Sequence, residues 1–237
     1  MKFKKWIKGK LFAPNELRKN QTIERLQGIY IPFFTYDSDS STVYTAQRGT
    51  YYYTTQTSVV NGKTVTRQIR HTMWTTVRGV FNNYFDDVLV NSSKNIDDDL
   101  VNKIGGFDLR KLMPYKPDYM SGFIAEKYSI SLNEGWQKAK ITVDNMINDG
   151  IRRQVGGNEF RLVNKSTSYG EIKFKHILLP MWMSAYKFKE KLYKFLINGQ
   201  TGNISGKYPK SILKIAALIL GVTIIGLFVY FFFSITK

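Results

Sequence analysis

The sequence has no cysteine, and His71 and His176 are its only histidines. A chain without cysteine forms no disulfides, no thiolate nucleophiles and no zinc sites with cysteine ligands. Zinc sites usually draw on several cysteine or histidine ligands, and these two imidazoles stand more than a hundred residues apart. We therefore predict no metal site.

The sequence also lacks the motifs of common enzyme classes. It has no G-x-x-x-x-G-K-[ST] phosphate loop, no G-x-G-x-x-G turn after a strand, no H-E-x-x-H and no G-x-S-x-G. Dense carboxylates stand at Asp86-Asp87, after an aromatic strand, and at Asp97-Asp98-Asp99, where the first turn of a helix would favour anions. We interpret both groups as structural and predict no catalytic residue and no cofactor.

Positive charge is concentrated in two segments of a chain whose formal net charge is +17. Residues 1–20 hold seven Lys/Arg against Glu16 alone, and residues 187–214 hold seven Lys against Glu190 alone. Such clusters favour polyanionic partners, either phospholipid head groups or nucleic acid.

An uncharged stretch near the C-terminus predicts a transmembrane helix over residues 212–235. From Ile215 to Phe233 Thr223 is the only clearly polar side chain. A helix of roughly twenty apolar residues spans the ~30 Å hydrocarbon core of a bilayer. This helix has no polar face to present to water, which argues against a core helix of a soluble protein.

The flanking charges predict the orientation of this helix. Lys207, Lys210 and Lys214 precede the uncharged stretch and Lys237 alone follows it, so the positive-inside rule places the N-terminal part in the cytoplasm. The N-terminus is basic without a continuous apolar run and does not read as a signal peptide. We expect a single-pass, tail-anchored protein of the cell membrane, with one cytoplasmic domain over residues 21–208.

The first twenty residues predict a basic amphipathic segment. Phe3, Trp6, Ile7 and Leu11 recur at helical spacing, and the helix would end near Pro14. It could lie on an anionic leaflet or pack on the domain. The residues predicted to contact the membrane surface are Lys4, Lys5, Trp6, Lys8, Lys207, Lys210 and Lys214.

Residues 29–90 predict a meander of four or five antiparallel strands. Apolar and aromatic runs cover Ile29–Tyr36, Val43–Gln47 and Thr50–Val59, which is typical of strands. Asn61-Gly62 fits a type I′ hairpin turn between two of them.

A short helix is predicted next, over Asn95–Ile104. Ser92 or Ser93 would cap its N-terminus, and Gly105-Gly106 would end it.

A longer helix begins at Ser131, which forms a capping box with Glu134, and ends before Gly156-Gly157. Its apolar residues keep helical spacing and predict one buried face. They are Leu132, Trp136, Ala139, Val143, Met146 or Ile147, and Ile151.

A second strand-rich region follows, from Phe160 to about Ser205, and contains a repeat. Ile29–Tyr36 resembles Ile177–Ser184, each with a proline that suggests a sheet edge or bulge. A return strand follows each copy, over Val43–Arg48 and Lys191–Ile197. We therefore predict an α+β fold with an antiparallel sheet, a few helices and one C-terminal transmembrane helix.

Aromatic and basic residues of one predicted strand pair form a candidate nucleic-acid contact: Arg48, Tyr51, Tyr53, Arg67 and Arg70. Tyrosines could stack on bases and arginines could hold phosphates. Strand alternation puts Tyr51 and Tyr53 on one face and Tyr52 on the other, so at least one face is predicted to be core.

The tryptophans Trp74, Trp136 and Trp182 are predicted to be core residues.

The segment Asn198, Gly199, Gln200, Thr201 and Gly202 is a candidate ligand loop. Asn-Gly favours positive φ, and a second glycine lets the backbone come close to a neighbour or a ligand. Turn formation alone also explains this composition.

Several stretches resemble a bacterial family of zinc-ribbon, or "primosomal helicase-like", proteins. They are GIYIPFFTYD, YTAQRGTYYY, FDDVLVNSS, PYKPDYMSGFIAEKYSI and FKHILLPMWMSAYKFKEKLYKFLINGQTG, and the resemblance covers roughly residues 3 to 208. In that family the helicase label derives from an N-terminal zinc ribbon. This sequence has no cysteine to form one, so the resemblance implies the body domain alone and carries no catalytic residue over.

Two functions of different classes fit these features. The first is a non-enzymatic, membrane-anchored adaptor or scaffold that binds a protein partner near anionic lipids. The alternative is a membrane tether for nucleic acid, which would use the same charges. An enzyme of unfamiliar type is a third reading, and it requires a deep pocket with converging polar groups.

Overall fold

The computed structural model describes residues 2–19, 23–60 and 63–235. The predicted turn at Asn61-Gly62 lies outside the described residues. In chain order the helices and strands are α1 Lys2–Lys8, α2 Asn15–Lys19, β1 Gln27–Val60, β2 Lys63–Asn91, α3 Asp98–Lys103, β3 Ile124–Ala125, α4 Leu132–Val155, β4 Glu159–Tyr169, β5 Lys173–Phe188, β6 Lys191–Asn198, β7 Ile204–Gly206 and α5 Ile212–Ile235.

The predicted α+β class is confirmed. The sheet has the strand order β2-β1-β5-β6-β7, and β3 and β4 also pair with β1. The pairings β1–β2, β1–β4, β5–β6 and β6–β7 are antiparallel, and the short β1–β3 pairing is parallel.

The chain divides into two compact units. The anchor unit comprises Met1–Pro32, Ser93–Tyr128 and Leu178–Lys237, and the ribbon unit comprises Phe33–Ser92 and Ser129–Ile177. Strands β1 and β5 contribute residues to both units.

The core of the ribbon unit lies under α4. Ser131 caps this helix, and its predicted capping box with Glu134 is confirmed. The predicted apolar stripe is also confirmed, since Ala139, Val143 and Ile147 are fully buried among aromatic and aliphatic residues of β1 and β2. The helix packs closely on the sheet, because a Cβ atom at Gly150 would lie 2.1 Å from the Phe81 ring.

The predicted meander of four or five strands is wrong, because residues 27–60 and 63–91 form two long strands, β1 and β2, that pair antiparallel. The register runs without a shift from Ser38↔Phe85 to Val60↔Lys63. Two glycines lie inside the strands, opposite aromatic partners. Gly79 pairs with Tyr44, whose ring occupies the space that a side chain would need, and Gly49 pairs with Trp74, where Glu159, Thr72 and the Trp74 ring together occupy that space.

The core of the anchor unit gathers the N-terminal helices and strands β5 and β6. Ile7 of α1 and Leu17 of α2 are buried there with Tyr186 and Phe195. Burial raises the pKa of the Tyr186 phenol, whose hydroxyl donates to the Lys207 carbonyl at 3.0 Å. A hydrogen bond thus satisfies this buried hydroxyl in its apolar surroundings.

The short predicted helix exists as α3, but its cap differs from the prediction. Asp97, and neither Ser92 nor Ser93, accepts the hydrogen bond from the Asp99 amide. The Ser93 hydroxyl instead accepts from the Asn95 amide and donates to Glu126. The helix is therefore shorter than predicted, and Asp98 and Asp99 occupy its first turn, as the sequence indicates.

The predicted repeat is half right. Its second copy lies in β5 and returns through β6, as expected. In the first copy residues 43–48 continue β1 and make no return strand. Pairing of β5 with β6 begins at Met181, directly after Pro180, which has no N–H and whose carbonyl accepts from Gly199.

The three tryptophans differ in burial. Trp136 lies in the core of the ribbon unit, as predicted. Trp74 is half-buried and Trp182 is 39% exposed, so the prediction of a core position is wrong for these two. Both belong to strands with a solvent-facing side.

Candidate membrane-anchoring and docking surfaces

The C-terminal helix α5 is long and apolar enough to span a membrane, as predicted. No residue of its segment Ile212–Ser234 is buried within the protein. Its 24 residues make it about 36 Å long. The hydroxyl of Thr223 donates within the helix, to Ile219 and Leu220, so this polar group needs no other partner in hydrocarbon.

The N-terminal segment is bonded to the start of α5. The Ser211 amide donates to the Phe12 carbonyl at 2.8 Å. The Lys214 ammonium donates to the Ala13 carbonyl at 2.7 Å and to Asn15 Oδ1 at 2.9 Å. The basic N-terminus therefore lies where α5 begins, which the sequence did not indicate.

Helix α1 packs within the anchor unit, one of the arrangements left open by the sequence. Phe3 and Ile7 are buried, and Trp6 is half-buried with its ring 6.3 Å from that of Tyr208. The lysines of the opposite face are exposed: Lys4, Lys5 and Lys8. The helix thus keeps its apolar residues in the protein and its charges in solvent.

The two lysines that precede α5 differ in their contacts. Lys210 is exposed. The Lys207 ammonium lies 2.6 Å from an Asp97 carboxylate oxygen. That hydrogen bond, with one from the Asp99 amide, holds the pKa of Asp97 below its ordinary value. Lys207 therefore stabilises the capped start of α3 as well as adding charge.

The candidate ligand loop forms hydrogen bonds within the protein. Asn198 is buried, and its Oδ1 accepts from the Gln200 and Thr201 amides at 2.8 and 3.0 Å. Its Nδ2 donates to the carbonyls of Gly105 and Gly106 at 3.4 Å. The side chains of this loop thus tie the β6–β7 turn to the segment after α3, which favours turn formation over ligand contact.

The candidate nucleic-acid residues lie on the β1–β2 hairpin but on two different faces. Tyr51, Tyr53 and Arg70 share one face, and Arg48 and Arg67 share the other. Both faces are open to solvent beyond Gly49, where Tyr53 is 59% exposed. The expectation that at least one face is core is wrong, because residues 50–59 and 63–75 are all exposed or half-buried.

We call the two-stranded part of the hairpin, residues 50–60 with residues 63–75, the β-ribbon. It extends about 35 Å beyond the last β1–β4 pair. No acidic residue occurs between Asp39 and Asp86. The β-ribbon is therefore an exposed arm whose formal charges are all positive.

The base of the β-ribbon is fixed by residues that sequence reasoning missed. The Asn158 side chain accepts from the Tyr51 amide at 2.9 Å, and the Asn158 amide donates to the Gly49 carbonyl at 2.8 Å. The Arg161 guanidinium lies 3.9 Å from the centre of the Trp74 ring, a cation–π contact. These residues follow α4, and no local sequence signal links them to the hairpin.

A carboxylate cluster lies at the register shift between β1 and β2. Asp37, Asp86 and Asp87 bring carboxylate oxygens within 4.8 Å of one another. The Lys175 ammonium lies 3.2 Å from Asp37 and 2.8 Å from Asp87, and these contacts raise its pKa to about 12. A lysine thus supplies the charge that the buried Asp37 needs, which supports a structural role.

The ribbon unit also has a wide, open depression of about 630 Å³. Its lining contains one carboxylate, that of Asp39, together with hydroxyl and amide groups. Its aromatic lining residues are Tyr84 and Tyr169. Among the described lining residues there is no imidazole and no second carboxylate. A nucleophile paired with a base is therefore not assembled here.

No protein-family model matches the chain, and no solved structure matches it. The chain is similar to a protein of Bacillus subtilis (strain 168) that carries the name "Uncharacterized protein YdjG". The two are 27% identical over 221 residues, which cover 93% of this chain and 62% of that protein. The chain therefore spans less than two thirds of the length of this relative.

Proposed function

We propose that the protein is a membrane-anchored, non-enzymatic adaptor that binds a protein partner near an anionic membrane surface. The observation that carries this proposal is the bonding of the basic N-terminal segment to the first residues of α5. A helix that crosses a bilayer would bring Lys4, Lys5 and Lys8 of the same unit close to the head groups. Each lysine near an anionic surface gains about 1 kcal/mol.

The proposed sidedness rests on the flanking charges. The lysines before α5 and those of α1 would lie on the cytoplasmic side of the cell membrane. The part before α5 would then be the cytoplasmic part, and its function would be recruitment at the inner leaflet. The open depression offers no assembled catalytic pair, which is consistent with binding as the activity.

Because the chain has no cysteine, a single introduced cysteine tests sidedness. In intact cells, a membrane-impermeant maleimide is expected to label Lys237→Cys and to label Lys8→Cys only after permeabilisation. The opposite pattern would place the N-terminal part outside the cytoplasm.

The same Lys8→Cys protein, carrying a fluorophore and reconstituted in nanodiscs, tests the lipid contact. Quenching by head-group spin labels should be stronger with phosphatidylglycerol than with phosphatidylcholine alone, and salt should weaken it. The additional change Lys4→Glu with Lys5→Glu should abolish the difference. Equal quenching in both lipids would argue against an anionic-surface adaptor.

A further inference from the structure

The outer edge of β2 is open along the β-ribbon. Strand β2 ends the strand order and pairs with β1 alone among the described strands. Near its base the Gln154 side chain of α4 donates to the Val80 carbonyl at 3.3 Å. Beyond that contact no described strand pairs with this edge, from Arg78 outward to Lys63.

This edge lacks the usual structural protection against strand pairing. Natural sheets protect edges with bulges, prolines, short strands or charges. The register has no shift between Ser38↔Phe85 and Val60↔Lys63, and neither strand has a proline there. What remains is charge of one sign, from Lys63, Arg67, Arg70 and Arg78.

Hydrogen bonds at the base reveal which amides of β2 point outward. The Tyr51 amide bonds to Asn158, away from β2, so Tyr51 and its partner Thr72 both direct their backbone groups outward. The Val80 carbonyl also points outward, and Val80, like Thr72, is an even-numbered residue of β2. The even-numbered residues of β2 within the β-ribbon, including Gln68 and Arg70, therefore direct their backbone amides toward the open edge.

We propose that this edge receives an acidic, extended segment of a partner protein by strand addition. The inference rests on the proposed adaptor function and names the partner's chemistry. Strand addition satisfies the outward amides and carbonyls, and acidic side chains complement an arm without acidic residues. A second copy fits poorly, because edge-to-edge pairing would set lysines and arginines against one another.

The edge of β1 is the less suited of the two. Between Thr50 and Val60 it carries no charged side chain. On β2, Arg67 and Arg70 are three residues apart and so point to opposite faces. A segment with glutamates three residues apart would place one opposite each arginine.

The test uses full-length protein in phosphatidylcholine nanodiscs and a labelled peptide. The peptide repeats the unit Glu-Val-Thr over about twelve residues, which matches the length of the edge. This peptide is expected to bind the protein at least about tenfold more tightly than a peptide that repeats Lys-Val-Thr. On binding, the amides of Thr66, Gln68 and Arg70 should become protected from hydrogen exchange. Those of Arg67 and Ile69, already bonded to β1, should change little.

Two pairs of matched variants locate the site. Gln68→Pro removes an outward amide of β2 and should abolish binding, whereas Thr55→Pro, at its cross-strand partner on β1, should retain it. Arg67→Glu with Arg70→Glu should weaken binding about tenfold, and Lys4→Glu with Lys5→Glu should not.

The inference is overturned if the glutamate peptide does not bind up to about millimolar concentration, or if the lysine peptide binds equally well. It is also overturned if Gln68→Pro leaves peptide binding unchanged. A fourth contrary result is that duplex DNA binds the β-ribbon more tightly than the peptide does and that Gln68→Pro leaves the DNA binding intact. The last result would identify the β-ribbon as a nucleic-acid arm. If the lipid and sidedness results of Lys8→Cys hold while the peptide fails, the adaptor proposal stands and its partner binds elsewhere.

Discussion

Two arginines in the middle of α5 are expected to release the protein from membranes. Val222 and Ile225 lie near the centre of Ile212–Ser234 and are exposed in the protein. An arginine at the centre of a membrane helix costs about 2.5–3.5 kcal/mol on insertion scales. Val222→Arg with Ile225→Arg therefore adds about 5–7 kcal/mol, enough to shift partitioning by roughly three to five orders of magnitude.

The measurement is the fraction of protein that stays in the membrane pellet after alkaline carbonate extraction. Val222→Leu with Ile225→Leu is the control and should behave as the wild type. Retention of the arginine protein to the wild-type level would mean that α5 does not lie in hydrocarbon.

Truncation of the buried Ile147 side chain in α4 is expected to have the largest effect on stability. Ile147 is fully buried in the core of the ribbon unit. Truncating such an isoleucine to alanine removes apolar burial and leaves a cavity, at a cost of about 2–5 kcal/mol. Ile147→Ala should therefore lower the melting temperature in detergent by about 4–20 °C, given about 2–4 °C per kcal/mol for a chain of this size.

Ile141 provides the control on the same helix, because its side chain is 68% exposed. Ile141→Ala should change the free energy of unfolding by less than about 0.5 kcal/mol. Equal melting temperatures for the two variants would contradict the assigned face of α4.

Local signals in the sequence predict the two long helices, α4 and α5, well. The capping box at Ser131 and Glu134, and the apolar spacing from Trp136 to Ile151, suffice to identify α4 and its buried face. The uncharged run from Ile215 to Phe233 likewise suffices for α5. In both cases the information lies within a few turns of one helix.

The long hairpin is harder to predict, because its regularity depends on contacts between distant residues. Gly49 and Gly79 lie within the strands, and only the structure shows the facing side chains, among them Trp74 and Tyr44, that pack over them. The exposure of Tyr52 and Tyr53 is equally hard to predict from the sequence, since alternation of apolar residues in a strand normally indicates one buried face.

The candidate surfaces are predictable in part. The sequence indicates the basic clusters, but not the bonds from Ser211 and Lys214 to the N-terminal segment. It also gives no sign that the turn at Asn198 is bonded to Gly105 and Gly106. The resemblance to the zinc-ribbon family stays a prediction.

The central claim is that α5 is surrounded by lipid. Size-exclusion chromatography of the full-length protein with light scattering tests it most directly. We expect a monodisperse species in detergent or nanodiscs and association into large aggregates when detergent is removed. A monodisperse protein in plain buffer, with the α5 residues shielded from solvent, would contradict the account.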